Sequence, residues 1–153
     1  MKTRTGFVSN SSSSSFVIGI GRVVSEKKLR GVLAENGVDI VNNHSANILT
    51  VDEIKSNHYY IAKTTGNTIT VDSFQDSITF KVRNKDDKFL IVNYIGDEGD
   101  YSFEDEDGEL DYGSFNSDML PSDILTLVDA LNHPSLGIDN NTSIVNIGAG
   151  RNG

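Results

Sequence analysis

Apolar and polar positions along the chain separate into two periods. Phe16 to Val24 (FVIGIGRVV) is an apolar run rich in β-branched residues and predicts a strand. Gly19 and Gly21 replace alternate side chains within it, which points to a bulge or to close approach by another backbone. Ser25 is placed as the N-cap of a helix through about Glu35, with Leu29, Val32 and Leu33 on its apolar face and Asn36-Gly37 as its stop. Residues 38–57 are ambiguous. Val38–Val41 fits a short strand and Val51–Lys55 a helical turn. Period-two patterning then dominates: His58–Lys63, Thr68–Asp72, Ser77–Arg83 and Lys88–Ile95 read as strands. Thr65-Gly66-Asn67, Ser73–Asp76 and Asn84–Asp87 supply turns, so these four predict an antiparallel meander. Pro121 suits the first turn of a helix to about Asn132, with Ile124, Leu127, Val128 and Leu131 at helical spacing. His133-Pro134 ends it. Thr142–Ile147 predicts a last strand, followed by a loose tail, 148–153.

The expected architecture is α+β: an antiparallel sheet of about five to seven strands with two helices on one face. A Ser-rich arm (1–15) precedes a single domain (16–147). A chain of 153 residues suits one domain and buries roughly two thirds of its unfolded surface. The absence of cysteine excludes disulfides, thiolate catalysis and sulfur-ligated zinc. No stretch reaches the ~20 apolar residues of a membrane helix, so no membrane association is expected. Lys2 and Arg4 are followed by serines rather than an apolar run, which argues against a secretory signal.

Charge changes the picture once it is located. The chain has 22 acidic and 13 basic residues, a net of −9. Nine of the acids lie between Gly96 and Asp111, with no Lys or Arg among them, which leaves 13 acids against 13 bases elsewhere. Calcium is the first chemistry this invites. With Gly108 at the sixth position of an EF-hand loop, Asp105 and Asp107 fit, but Phe103 and Ser114 fall on the first and twelfth positions, where ligands are required. No metal site is expected. A second reading is mimicry: dense carboxylates imitate nucleic-acid phosphates and occupy a basic groove on another protein. Gly96, Gly99, Gly108 and Gly113 argue for a mobile loop instead. Tyr101, Phe103, Leu110, Tyr112 and Phe115 serve equally as partner anchors or as plugs for the domain's own core.

Catalytic patterns are missing from the sequence. His44, His58 and His133 are isolated, the serines have no local base, and Gly19-Ile20-Gly21 lacks the third glycine and following helix of a dinucleotide site. Neither enzymatic activity nor a cofactor is expected. Lys27, Lys28 and Arg30 read as a solvated helix face, so direct nucleic-acid binding is not expected either.

The arm itself carries the most specific pattern. Five serines, Ser11, Ser12, Ser13, Ser14 and Ser15, stand between Phe7-Val8 and Phe16-Val17-Ile18. The run reads either as a flexible linker or as a fixed turn between two anchored apolar patches. Lys2-x-Arg4-x-Gly6-Phe7-Val8-Ser9-Asn10 followed by the serines and Phe16 resembles the opening of a scattered set of small proteins from tailed bacteriophages and from bacteria, whose bodies diverge afterwards. The match spans about sixteen of 153 residues. It implies a phage or mobile-element origin, with residence in the infected cytoplasm or the virion. A nearly fixed arm on variable bodies implies a shared docking groove, modification or processing at Ser11–Ser15, or simply the first strands of each body. The expected function is therefore a non-enzymatic interaction protein, virion-associated or accessory, whose partner is a phage structural or host protein. Lys2, Arg4, Phe7, Val8, Asn10 and Phe16 are its arm contacts. The alternative is an acidic host-directed inhibitor acting through residues 97–112, with Tyr101, Asp105 and Asp107 at its centre.

Overall fold

The computed structural model describes residues 2–3, 12–56, 61–73, 76–96, 110–111 and 120–152. Among the described residues it is an α+β arrangement of two main antiparallel sheets and three α-helices. The first sheet has four strands in the order β3-β7-β2-β9: β2 (Ser12–Val23), β3 (Ala46–Thr50), β7 (Lys88–Gly96) and β9 (Ile138–Asn152). The second is the three-stranded meander β4 (Lys63–Thr65), β5 (Thr68–Asp72) and β6 (Ser77–Lys81). A two-residue ladder joins β1 (Lys2–Thr3) to β8 (Leu110–Asp111).

The apolar run that opens the domain is continuous because β2 is buried on both faces. Phe16, Ile18 and Ile20 pack with Phe89 and Ile91 of β7 and with Ile69, Val71, Ile78 and Phe80 of the meander. Val17, Leu90 and Val92 point the other way, into a cluster with Leu29 and Leu33 of α1 (Glu26–Glu35) and Ile124, Leu127 and Leu131 of α3 (Ser122–Asn132). The four-stranded sheet is thus the middle of three layers, α1 and α3 on one side and the meander on the other. The third helix, α2 (Val51–Ser56), follows β3 directly and buries Val51 and Ile54 on the meander side.

Local chemistry sets the helix ends where the sequence placed them. The Ser25 hydroxyl accepts the Lys28 N–H at 3.3 Å, Asn36 is the C-cap, and Gly37 follows at φ +77°. Pro121 stands immediately before α3 as its N-cap. The predicted turn at Thr65-Gly66-Asn67 joins β4 to β5, with Gly66 at φ +57°.

Four expectations are corrected. The fourth meander strand, Lys88–Gly96, leaves the meander and lies between β3 and β2, because its run Phe89-Leu90-Ile91-Val92 is apolar on both faces and needs cover on both. Ala46–Thr50 is an edge strand, whereas Val38–Val41 is not a strand, although Val38 and Ile40 are buried. The strands belong to two sheets rather than one. The last strand runs from Ile138 to Asn152, so residues 148–152 are not a loose tail: they pair with Ser12–Phe16. Of the predicted strand His58–Lys63, residues 58–60 lie outside the described residues.

The glycine reading holds for the bulge, whereas the close approach is made mainly by side chains rather than by another backbone. The register of β2 against β9 breaks between Ile20, opposite Ile144, and Arg22, opposite Asp139, so Asn140–Ser143 bulge out across from Gly21. A Cβ on Gly19 would come within 2.6 Å of Leu131 Cδ1, and one on Gly21 within 2.7 Å of Ile138 Cγ2 and 2.8 Å of Leu131 Cδ2. Bare backbone at these two positions lets α3 sit down onto the sheet.

Candidate functional surfaces

The arm enters the fold as a strand. Ser12, Ser13, Ser14 and Ser15 pair with Asn152, Arg151, Gly150 and Ala149, so along these residues the serine run is neither a linker nor a turn. On its other side Ser15 faces Gly96, the residue at which the acidic segment begins. At the far end of both segments, Lys2 pairs with Asp111 and Thr3 with Leu110. Eleven residues separate Thr3 from Ser15, and thirteen separate Gly96 from Leu110. The second ladder therefore resumes the antiparallel register of the first, with two additional residues on the acidic side. The arm and the acidic segment, picked out independently by sequence, are fastened to each other at both ends.

Two nominated residues change role. Phe16 is 6 % exposed and cannot meet a partner; a Cβ on Gly148, its cross-strand neighbour, would lie 2.7 Å from the ring, so the ring covers that glycine and plugs the strand pair. Ser15 is fully buried and its Oγ has no hydrogen-bond partner, which removes it from the accessible modification sites. Lys2 enters through its main chain. Arg4, Phe7, Val8, Asn10, Ser11, Tyr101, Asp105 and Asp107 lie outside the described residues. At the base of the two segments Ile95, opposite Phe16, is 55 % exposed.

A second surface escaped the sequence reading. Where the β9 bulge faces the edge strand β6, a cleft of about 420 Å³ opens, with Phe80 and Ile144 as its apolar lining. Arg22 reaches across the bulge to Asp139, its Nη2 donating to Oδ2 at 3.1 Å. The Asn141 N–H donates to Oδ1 at 3.1 Å and the Thr142 hydroxyl to Oδ2 at 3.2 Å. The Arg22 hydrogen bond, with help from Asn141 and Thr142, holds the Asp139 carboxyl below its ordinary value. Lys81 and Arg83 also line the cleft. Neither Lys81 nor Arg83 was singled out in the sequence, and Asp139 and Thr142 across the cleft come from a strand near the other end of the chain.

The histidines do not converge among the described residues. His44 adjoins Asn43, whose side chain donates to Asp123 at the start of α3, whereas His133 caps the far end of that helix. His58 lies outside the described residues. Among the described residues no group of three or more His, Asp or Glu could hold a metal ion, and no helix is long and apolar enough to cross a membrane.

No family model, curated protein or solved structure matches this chain.

Proposed function

We propose that this chain is a non-enzymatic interaction protein of bacteriophage origin, virion-associated or accessory, acting in the infected cytoplasm or the virion. Its docking element is the arm together with the acidic segment, rather than either alone. The observation that carries this reading is the pair of ladders, Ser15 with Gly96 and Lys2–Thr3 with Asp111–Leu110, which tie the two segments at both ends. A partner that grips one is thereby presented with the other. The exposed Ile95 at their common base adds an apolar contact beside a charged one, the mixture typical of interface cores and rims.

Affinity capture from the native source tests this with three proteins: the full chain, one lacking residues 1–10, and Asp105→Lys/Asp107→Lys. Truncation stops at residue 10 because Ser12–Ser15 belong to β2. The expected outcome is one partner lost in both altered proteins. Loss with the truncation alone reduces the element to the arm. Retention in both sinks the proposal.

The inhibitor reading has one specific observation in its favour. The acidic segment is bounded by Gly96, paired with Ser15, and by Leu110–Asp111, paired with Lys2–Thr3, two fixed points of the kind that phosphate mimicry needs. Under that reading capture depends on the acids alone and weakens steeply as salt rises.

A further inference from the structure

We infer that the cleft between the β9 bulge and the β6 edge is a binding site for a small oxyanion: a phosphomonoester or carboxylate carried on a hydroxyl-bearing body of about nucleotide size. Its volume, about 420 Å³, falls in the range of roughly 300–1,000 Å³ in which small-molecule sites occur. Size alone says nothing about chemistry. The charges do. The chain as a whole carries −9, yet this lining holds three cations, Arg22, Lys81 and Arg83, against the two carboxylates Asp87 and Asp139. Arg22 and Asp139 satisfy one another, and Asp139 also accepts from Asn141 and Thr142. Lys81 and Arg83 form no ion pair among the described residues, although carboxylates outnumber cations across the molecule. Two uncommitted cations beside a preorganised Arg–Asp pair favour an anion entering the cleft.

The backbone supplies donors of the right kind. The Val82 N–H donates to the Asn67 carbonyl at 2.6 Å, and this sets the phase of the β5/β6 ladder. Phe80 and Ile78, in register with Ile69 and Val71, bond inward with Val82, so Thr79 and Lys81 turn their main-chain N–H and C=O outward at the sheet edge. Both residues line the cleft. Across from them the bulge lifts Thr142 out of the regular β2/β9 ladder and into the opposite wall. Bulges re-aim side chains in this way beside functional sites. An oxyanion head is thus offered the Lys81 and Arg83 side chains and an edge N–H, and hydroxyls on its body are offered Thr79, Thr142 and Asp87. The flat part of the body lies on Phe80 and Ile144.

The test is an amide-resolved titration of the ¹⁵N-labelled full chain at low salt with AMP, citrate and inorganic phosphate, alongside the Lys81→Gln/Arg83→Gln variant. Both positions are exposed, so the variant is expected to keep the wild-type melting temperature, and that is checked first. The expected result is saturation by AMP or citrate, shifts confined to Thr79–Arg83 and Asp139–Ile144, and affinity about tenfold or more weaker in the variant. Saturation by AMP assigns a phosphate head and saturation by citrate a carboxylate head. Inorganic phosphate, which leaves the apolar floor empty, binds more weakly than AMP. Three results overturn the inference: no saturation by either organic anion at millimolar concentration, equal affinity in the variant, or shifts centred elsewhere on the protein.

Discussion

Gly21→Ala puts a methyl group where two buried side chains and the β9 bulge already meet. Its Cβ would lie 2.7 Å from Ile138 Cγ2, 2.8 Å from Leu131 Cδ2 and 3.3 Å from Ser143 Cβ. Ile138 and Leu131 are fully buried, so neither has free space to retreat into. Overpacking of this kind costs about 1–3 kcal/mol. Against it stands the gain from replacing glycine in a strand, roughly 0.5–1 kcal/mol. The net expectation is a loss of about 1–2 kcal/mol, or about 3–6 °C in melting temperature for a domain of this size. Urea unfolding followed by circular dichroism measures it. The useful control is Gly31→Ala in α1, where an added Cβ meets nothing within 4 Å and helix propensity alone predicts a gain of about 0.5–1 kcal/mol. Leu131→Ala completes the argument. Alone it costs about 2–5 kcal/mol, but combined with Gly21→Ala the new methyl partly fills the space vacated, so the pair costs about 1 kcal/mol less than the two separately. The reasoning fails if Gly21→Ala is neutral or stabilising, or if the two losses simply add.

Ser15→Ala removes a buried hydroxyl without a partner and is expected to stabilise by about 1 kcal/mol, read as a higher urea midpoint at unchanged slope. Gly137→Ala is expected to cost about 2 kcal/mol or more, since the residue sits at φ +98° and its Cβ would lie 2.6 Å from the Ser25 carbonyl oxygen, a backbone atom that cannot swing aside. Acid sensitivity follows from carboxyls held below their ordinary values of 3.8 and 4.5: Glu26 by Lys88 and Arg30, Asp139 by Arg22, Asp72 by Ser77 and Lys63. A depressed folded value contributes stability that is full above the unfolded value and is lost as pH falls through the folded one, so these groups leave stability level from pH 7 to about 5 and lower it below about 4. Glu26→Gln with Asp139→Asn is expected to flatten that acid limb in urea titrations at stepped pH.

Local chemistry was legible in the sequence wherever the deciding partner is close along the chain. Ser25, Asn36-Gly37, Pro121 and the helical spacing of Ile124, Leu127 and Leu131 act within a turn or two of themselves, and the helices stand where those residues put them. The missing side chains of Gly19 and Gly21 pointed to a bulge or a close approach by another backbone; the bulge is there, but the Leu131 and Ile138 side chains make the approach. Sheet membership was harder, because an apolar run such as Phe89–Val92 states that two faces are covered without stating by what. Ala46–Thr50 escaped notice because it is a short edge strand whose buried positions, Ala46 and Leu49, are three apart instead of alternating. The cleft was invisible for the same reason in stronger form: Arg22 and Asp139 are 117 residues apart in sequence, and only the finished sheet sets them side by side.

The central position of β2 has a kinetic consequence. Its strand neighbours are β7 and β9, so the first long apolar segment of the chain finds its hydrogen-bonding edges only after most of the remaining sequence is available. Loop closure over such separations is entropically expensive and slows folding relative to topologies built from neighbouring hairpins. Until β9 docks, Phe16–Val24 is an apolar, β-prone strand with open edges, the kind of segment that recruits other chains. Refolding yield is therefore expected to fall with protein concentration, and the meander β4–β6, whose strands are sequence neighbours, is expected to acquire amide protection first.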